Sequence, residues 1–165
     1  MFSTLDLKDG YWQVELDKES SLLCTFNTPF GRYRFTRMPF GLKSASEVFQ
    51  KKNEAAFEGI KGIHIVADDI IIAASDVEEH NSILHQVLQR AAECNVKLNF
   101  DKFQFCVSEV KYLGTIITHE GMKPDPAKVR AIKEMPPPHD KAAVRRLLGM
   151  INYLAPHIPE ATSTT

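Results

Sequence analysis

The chain has 165 residues, 44% hydrophobic and 25% charged, which suits one core-forming domain or two small ones. No apolar run approaches the roughly 20 residues that span a bilayer, so no membrane span is predicted. The three cysteines (Cys24, Cys94, Cys106) lack the paired spacing of a disulfide scaffold or zinc knuckle, and a net charge of −1 argues, as an average, against a strongly basic nucleic-acid binder.

Residues 2–7 and 13–17 read as short strands separated by Lys8-Asp9-Gly10, and the first residues show no basic or apolar signal pattern, so no secretion is expected. Residues 22–28 and 32–36 read as a hairpin around Pro29-Phe30-Gly31. Ser44 and Glu47 have capping-box spacing and predict a helix with Ala45, Val48, Phe49 and Ala56 on one face. Residues 63–74 form an apolar run interrupted by His64 and Asp68-Asp69. Its β-branched flanks read as a hairpin with the aspartates at or near the turn. Asp76 and Glu79 cap a helix carrying Ile83, Leu84, Val87, Leu88 and Ala91 in one stripe. Strands near 103–107 and 111–118 follow, and Asp125-Pro126 opens a short helix ending near Met135. Pro136-Pro137-Pro138 is the strongest boundary signal. A last helix places Val144, Leu147, Leu148, Ile151 and Leu154 on one face, and residues 161–165 read as a frayed tail. Strands and helices mix without regular βαβ alternation, which favours an α+β fold.

The average charge conceals segregation. Phe30–Lys52 carries six basic residues and one acidic, Asp68–His80 five acidic and none basic, and Lys123–Arg146 seven basic and three acidic. Solvated faces explain any single block. Taken together, the blocks also fit a polyanion held around a carboxylate site that binds divalent cations.

Two adjacent carboxylates in an apolar sheet cost several kcal/mol each unless they reach solvent or a cation. Asp68-Asp69 alone is explained as a turn pair. Asp6 adds weight to the second possibility, because it ends the apolar segment Phe2–Leu7 just before a glycine-containing turn. A strand-end aspartate and a hairpin-turn pair can hold two hard cations for in-line phosphoryl transfer.

At this point the residues resemble a family. Phe2-Ser3-Thr4-Leu5-Asp6-Leu7-Lys8-Asp9-Gly10-Tyr11-Trp12-Gln13 is similar to the first palm motif of reverse transcriptases, closest to gypsy-class long-terminal-repeat retrotransposons. Thr25–Phe35, Arg37-Met38-Pro39-Phe40-Gly41-Leu42-Lys43 and Phe49-Gln50 resemble the second motif. Val66-Ala67-Asp68-Asp69 takes the place of the aspartate-pair motif and Tyr112-Leu113-Gly114 that of the primer grip. Asp125–Tyr153 resembles the thumb and the start of the connection.

The resemblance implies a polymerase palm over residues 1–120, a ferredoxin-like antiparallel sheet with helices on one face, and a mostly helical partial thumb over 121–160. It implies an RNA-directed DNA polymerase fragment of a Pol polyprotein, with the fingers segment upstream and RNase H and integrase elsewhere in the parent. Its partners would be an RNA template, a DNA primer and deoxynucleoside triphosphates, with no membrane, in a cytoplasmic particle or the nucleus. Asp6, Asp68 and Asp69, with the Leu7 carbonyl, would bind two Mg2+ ions, for which Mn2+ can substitute. Tyr11 would be the steric gate under the sugar, with a core aromatic as the plainer reading. Phe40, Gly41 and Lys43 would lie at the nucleotide, and Tyr112, Leu113 and Gly114 at the primer end. Lys102 is a candidate general acid for pyrophosphate; a solvated loop lysine explains it equally. The Lys128 helix and Arg145-Arg146 would meet the duplex backbone.

Two departures stand out. Val66 replaces the family's usual tyrosine, and Ser46-Glu47 stands where alanine and proline are common. His64, His80 and His85 read as structural, since positions 80 and 85 do not share a helix face. A catalytically silent remnant that binds nucleic acid or protein is the competing reading, and a metal-dependent nuclease is less favoured because no His or Lys base is supplied.

Overall fold

The computed structural model describes residues 1–155, which form two compact units, residues 1–107 and a second from Ser108. Residues 156–165, including the expected tail, lie outside the described residues.

In the first unit, β1 (Phe2–Leu7), α2 (Ala45–Ala56), β4 (Ile63–Val66), β5 (Asp69–Ala73), α3 (Val77–Glu93) and β6 (Leu98–Val107) follow one another as βαββαβ. Their strands form one sheet in the order β4-β5-β1-β6, with every neighbour antiparallel. This is the ferredoxin-like sheet that the resemblance implied. Between β1 and α2 lie a 3-10 turn (Gly10–Gln13), a short helix α1 (Lys18–Leu23) and a hairpin of β2 (Thr25–Thr28) and β3 (Gly31–Arg34).

Strand parity decides what faces the helices. Leu5 and Leu7 of β1 and Ile70 and Ile72 of β5 point to one side and pack with Ala45 and Phe49 of α2 and Ile83, Leu84, Val87 and Ala91 of α3. Each fully buried aliphatic side chain stabilises by about 1.5–3 kcal/mol. Asp6 and Asp69, one residue out of phase, lie on the opposite side. Ser3 shares the helix side; its hydroxyl meets the buried His80 Nε2 at 2.7 Å, which gives that histidine a structural task.

Local differences from the sequence reading have physical reasons. Residues 13–17 are not a strand: the 3-10 turn takes Gln13, and Glu15 makes only an isolated bridge to Arg37. The strand expected from residue 22 starts at Thr25, because Asp17 caps α1 by accepting from the Ser20 amide at 2.7 Å. The capping box at Ser44 does not form; Ser44 is itself helical and makes no side-chain cap. Val48 is exposed while Asn53 joins Ala45 and Phe49 as a buried residue of α2. At α3 the N-cap forms, with Asp76 accepting from the Glu79 amide, while Glu79 reaches one residue past the cap and accepts from the Ser75 amide, both at 2.8 Å.

The second unit opens with a meander of β7 (Glu109–Tyr112), β8 (Thr115–Thr118) and β9 (Gly121–Pro124). The single strand read over 111–118 is therefore a hairpin broken at Leu113-Gly114. Asp125 caps α4 (Pro126–Lys133) through the Ala127 amide, and Asp140 caps α5 (Lys141–Leu154) through the Ala143 amide. Of the expected α5 stripe only Leu154 is fully buried.

Candidate active site

The carboxylates converge because β1 and β5 are paired in one register. Asp6 stands directly opposite Asp69, as Leu5 does opposite Ile70. Asp68 occupies the two-residue turn closed by Val66 and Asp69, and the Leu7 amide donates to its carbonyl at 2.7 Å. Asp6 is buried, Asp69 half-buried and Asp68 exposed.

The turn itself is held from α2. Ala67 sits at φ 54°, a left-handed conformation costing about 1–2 kcal/mol in a non-glycine residue. Its amide donates to Gln50 Oε1 and its carbonyl accepts from Asn53 Nδ2, both at 2.8 Å. Gln50 also donates to the Ile65 carbonyl at 2.9 Å. Asn53 is a residue the sequence reading missed. Its signal was a polar side chain one turn after Phe49, on the face that the helix buries.

Strand β6 supplies the groups around Asp6. Its pairing with β1 slips between Thr4↔Gln104 and Asp6↔Asn99, and the extra residues re-aim Lys102. Lys102 Nζ donates to Asp6 Oδ2 at 2.9 Å and Asn99 Nδ2 to Oδ1 at 3.2 Å. Asn99 is a second residue missed from sequence, since only the slipped register brings it to Asp6. The hydrogen bond and charge of Asp6, reinforced by Asp68 and Asp69, hold the Lys102 ammonium above the usual lysine pKa. Burial, with the charges of Asp68 and then Asp6, pushes the Asp69 carboxyl up, against an opposing pull from Lys102.

Among the described residues no three His, Cys, Asp or Glu side chains are gathered into a group that could hold a metal ion. The donor chemistry nonetheless fits hard cations: the site offers carboxylate oxygens, and burial, then the neighbouring Asp68 and Asp6, disfavour an uncompensated charge on Asp69.

Tyr11 follows the glycine turn. Its ring centroid lies 5.1 Å from that of Phe40 and 5.3 Å from that of Phe49, and its hydroxyl meets Ser46 Oγ at 2.7 Å. The ring is therefore packed, as the plainer reading expected, with its polar end anchored. Phe40, Gly41 and Lys43 are exposed on the segment entering α2, with Gly41 at φ 94°. Tyr112, Leu113 and Gly114 belong to the second unit. A cavity of about 480 Å³ in the first unit is lined by Asp9, Trp12, Glu15, Arg37, Lys52 and Lys97, among others, and includes none of Asp6, Asp68 and Asp69. No described helix is long and apolar enough to cross a membrane.

A ferredoxin-like sheet with helices on one side and facing aspartates on the other has the architecture of a palm-type fold. Residues 1–117 match the family model for reverse transcriptase (RNA-dependent DNA polymerase), and the chain belongs to that family. It is 38% identical over 160 residues to the retrovirus-related Pol polyprotein from transposon 297 of Drosophila melanogaster, covering 96% of this chain and 15% of the relative. With the Pol polyprotein from transposon gypsy of the same organism the identity is 37%, over 92% of this chain and 15% of the relative. Among solved structures it is similar to the foamy viral protease-reverse transcriptase in complex with double-stranded DNA, with a TM-score of 0.88 and 25% identity over 98% of this chain and 34% of that one. The same protein with an RNA/DNA hybrid gives a TM-score of 0.81 at 26% identity, over 93% of this chain and 21% of that one. The chain thus spans only about 15% of the length of the Drosophila relatives.

Proposed function

We propose that this chain carries the catalytic centre of an RNA-directed DNA polymerase that joins deoxynucleotides to a primer 3′-hydroxyl. The observation that carries the reading is Asp6 facing Asp69 across β1 and β5, with Asp68 in the adjoining turn. Asp6, Asp68, Asp69 and the Leu7 carbonyl would hold two Mg2+ ions, or Mn2+ in their place. When bound, such ions lower the pKa of the attacking hydroxyl and neutralise charge on the leaving pyrophosphate.

The chain's own groups do the rest. Lys102 is the candidate general acid for departing pyrophosphate; its hydrogen bond to Asp6 holds its proton more tightly than an ordinary lysine does, so that contact has to be given up before the proton is passed on. The Tyr11 ring, packed against Phe40 and Phe49, is the steric gate that disfavours a 2′-hydroxyl. Phe40, Gly41 and Lys43 bear on the nucleotide and template, and Tyr112, Leu113 and Gly114 on the primer end. The partners are an RNA template, a DNA primer and deoxynucleoside triphosphates, with RNase H and integrase in a parent polyprotein that works in a cytoplasmic particle or the nucleus. Solved relatives bound to double-stranded DNA and to an RNA/DNA hybrid support the choice of partner.

The test is primer extension on poly(rA)·oligo(dT) with Mg2+ or Mn2+, using the chain with its flanking sequence restored. Asp68→Asn is expected to reduce extension to background. Wild-type extension no higher than that control would leave a silent palm that at most binds nucleic acid or protein.

A further inference from the structure

In the second unit the Leu113–Gly114 turn is gripped by side chains from both following helices. Tyr112 and Thr115 close the β7–β8 hairpin. Both turn residues are left-handed, Leu113 at φ 49° and Gly114 at φ 80°, the pattern of a type I′ turn. The hydroxyl of Tyr153 in α5 donates to the Leu113 carbonyl at 3.3 Å and the Gly114 carbonyl at 3.4 Å, one proton shared between two acceptors. Lys128 of α4 donates to that same hydroxyl at 2.6 Å, and its ammonium lies 3.9 Å from the centre of the Tyr153 ring. Donation from a cation polarises the phenolic O–H and strengthens its hold on the turn. A Cβ built on Gly114 would fall on the Tyr153 hydroxyl and 2.5 Å from Lys128 Nζ. Position 114 therefore needs glycine for its backbone angle, and any side chain there would push the Tyr153 hydroxyl and Lys128 ammonium off the turn.

We propose that Lys128, Tyr153 and Gly114 form a latch that positions the Leu113–Gly114 turn against a primer 3′ end, which rests on the reading of residues 112–114 as the primer grip. Lys128 and Tyr153 are positioning residues. The strands of the meander are only four residues each, and β9 pairs with β8 and not with β7, so the β7 side of the turn has no further strand to brace it. The tip needs an external anchor if it is to hold a terminal nucleotide in one place, and the two helices supply it through a single oxygen. Tyr153 is 46% exposed, so water competes for the hydroxyl and the latch can release.

The experiment uses the 165-residue chain and two readouts. Tyr153→Phe keeps the ring and removes the hydroxyl; Lys128→Met removes the donor; Lys128→Arg keeps a donor and a cation over the ring. Amide hydrogen exchange at residues 112–115 is expected to accelerate about two- to fivefold in Tyr153→Phe, the loss of one exposed net hydrogen bond. Lys128→Met should follow, Lys128→Arg should stay near wild type, and the Lys128→Met/Tyr153→Phe double variant should be no faster than Tyr153→Phe alone. The second readout is 2-aminopurine fluorescence on a DNA primer annealed to RNA, with the probe at the 3′ terminus or well inside the duplex. Tyr153→Phe should change the terminal signal and leave the internal one unchanged. Unaltered exchange in Tyr153→Phe overturns the latch itself. Faster exchange with the two probes unchanged, or changed alike, overturns its action on the primer. No terminal signal even with the wild-type chain overturns the primer-grip reading and, with it, the proposal.

Discussion

The turn at Ala67–Asp68 in the first unit and the turn at Leu113–Gly114 in the second both join strands of four or five residues, and both put a non-glycine residue in the left-handed region. Neither hairpin is left to support its own tip. The first is held by amide side chains of α2 that take both the amide and the carbonyl of Ala67, and Asn53 does so from a buried position. The second is held by an exposed phenol and ammonium. Buried hydrogen bonds have no water to fall back on, so their loss leaves an unpaired group. Exposed ones are exchanged for water at little cost. The carboxylate turn is thereby fixed to its helix, while the other turn is restrained and can let go.

The contrast breaks if the two anchors prove equal. Asn53→Leu, which leaves the Ala67 carbonyl without its buried partner, should destabilise the protein by about 1–3 kcal/mol in urea unfolding and speed exchange around Ala67. Tyr153→Phe should cost only about 0.5–1 kcal/mol by the same measurement. Equal losses would erase the distinction between a fixed turn and a releasable one.

Which parts of this were legible in the sequence follows from how far each signal reaches. The α3 helix was readable because cap and stripe are local: Asp76, Glu79 and the Ile83–Ala91 face all lie within one segment. The aspartate hairpin was readable because β-branched flanks surround a turn pair, and the adjacency of Asp6 and Asp69 followed from motif order rather than from any local pattern. The helix α1 was hidden because Asp17 and Ser20 look like loop residues until one sees the aspartate accept from the serine amide. Asn99 and the aim of Lys102 were out of reach, since both depend on a slipped register between β1 and β6 that no periodicity announces. Asn53 and Tyr153 were visible as residues but not as anchors; their partners are backbone atoms of distant turns.

The carboxylates repeat the contrast. In the second unit the buried Asp125 has its own cation, Lys111, at 2.5 Å, and also accepts from the Ala127 amide. The Lys111 hydrogen bond first, then the amide, hold its carboxyl below the usual carboxylate range. A group whose folded pKa is depressed contributes stability above its unfolded pKa and loses it as pH falls through the folded one. Lys111→Met should therefore lower the melting temperature at neutral pH, and the gap from wild type should close as the solution is acidified. A gap that stays constant with pH would mean that Lys111 matters through its packing alone.

In the first unit the balance runs the other way, and so does the sign. Asp69 is pushed up by burial and by Asp68 and Asp6, with Lys102 only partly offsetting them. A folded pKa above the unfolded one gives stability that is complete below the unfolded pKa and lost as pH rises through the folded value. At neutral pH in EDTA the charged Asp69 is thus a burden, and Asp69→Asn should raise the melting temperature. The gain should vanish in acid, where wild-type Asp69 is already neutral. Millimolar Mg2+ should narrow the gap at neutral pH by stabilising the wild type more than the variant, because a cation relieves the repulsion that the substitution removes. A gain that persists unchanged in acid, or that Mg2+ leaves untouched, would mean that Asp69 is paired well enough by Lys102 and needs no further positive charge.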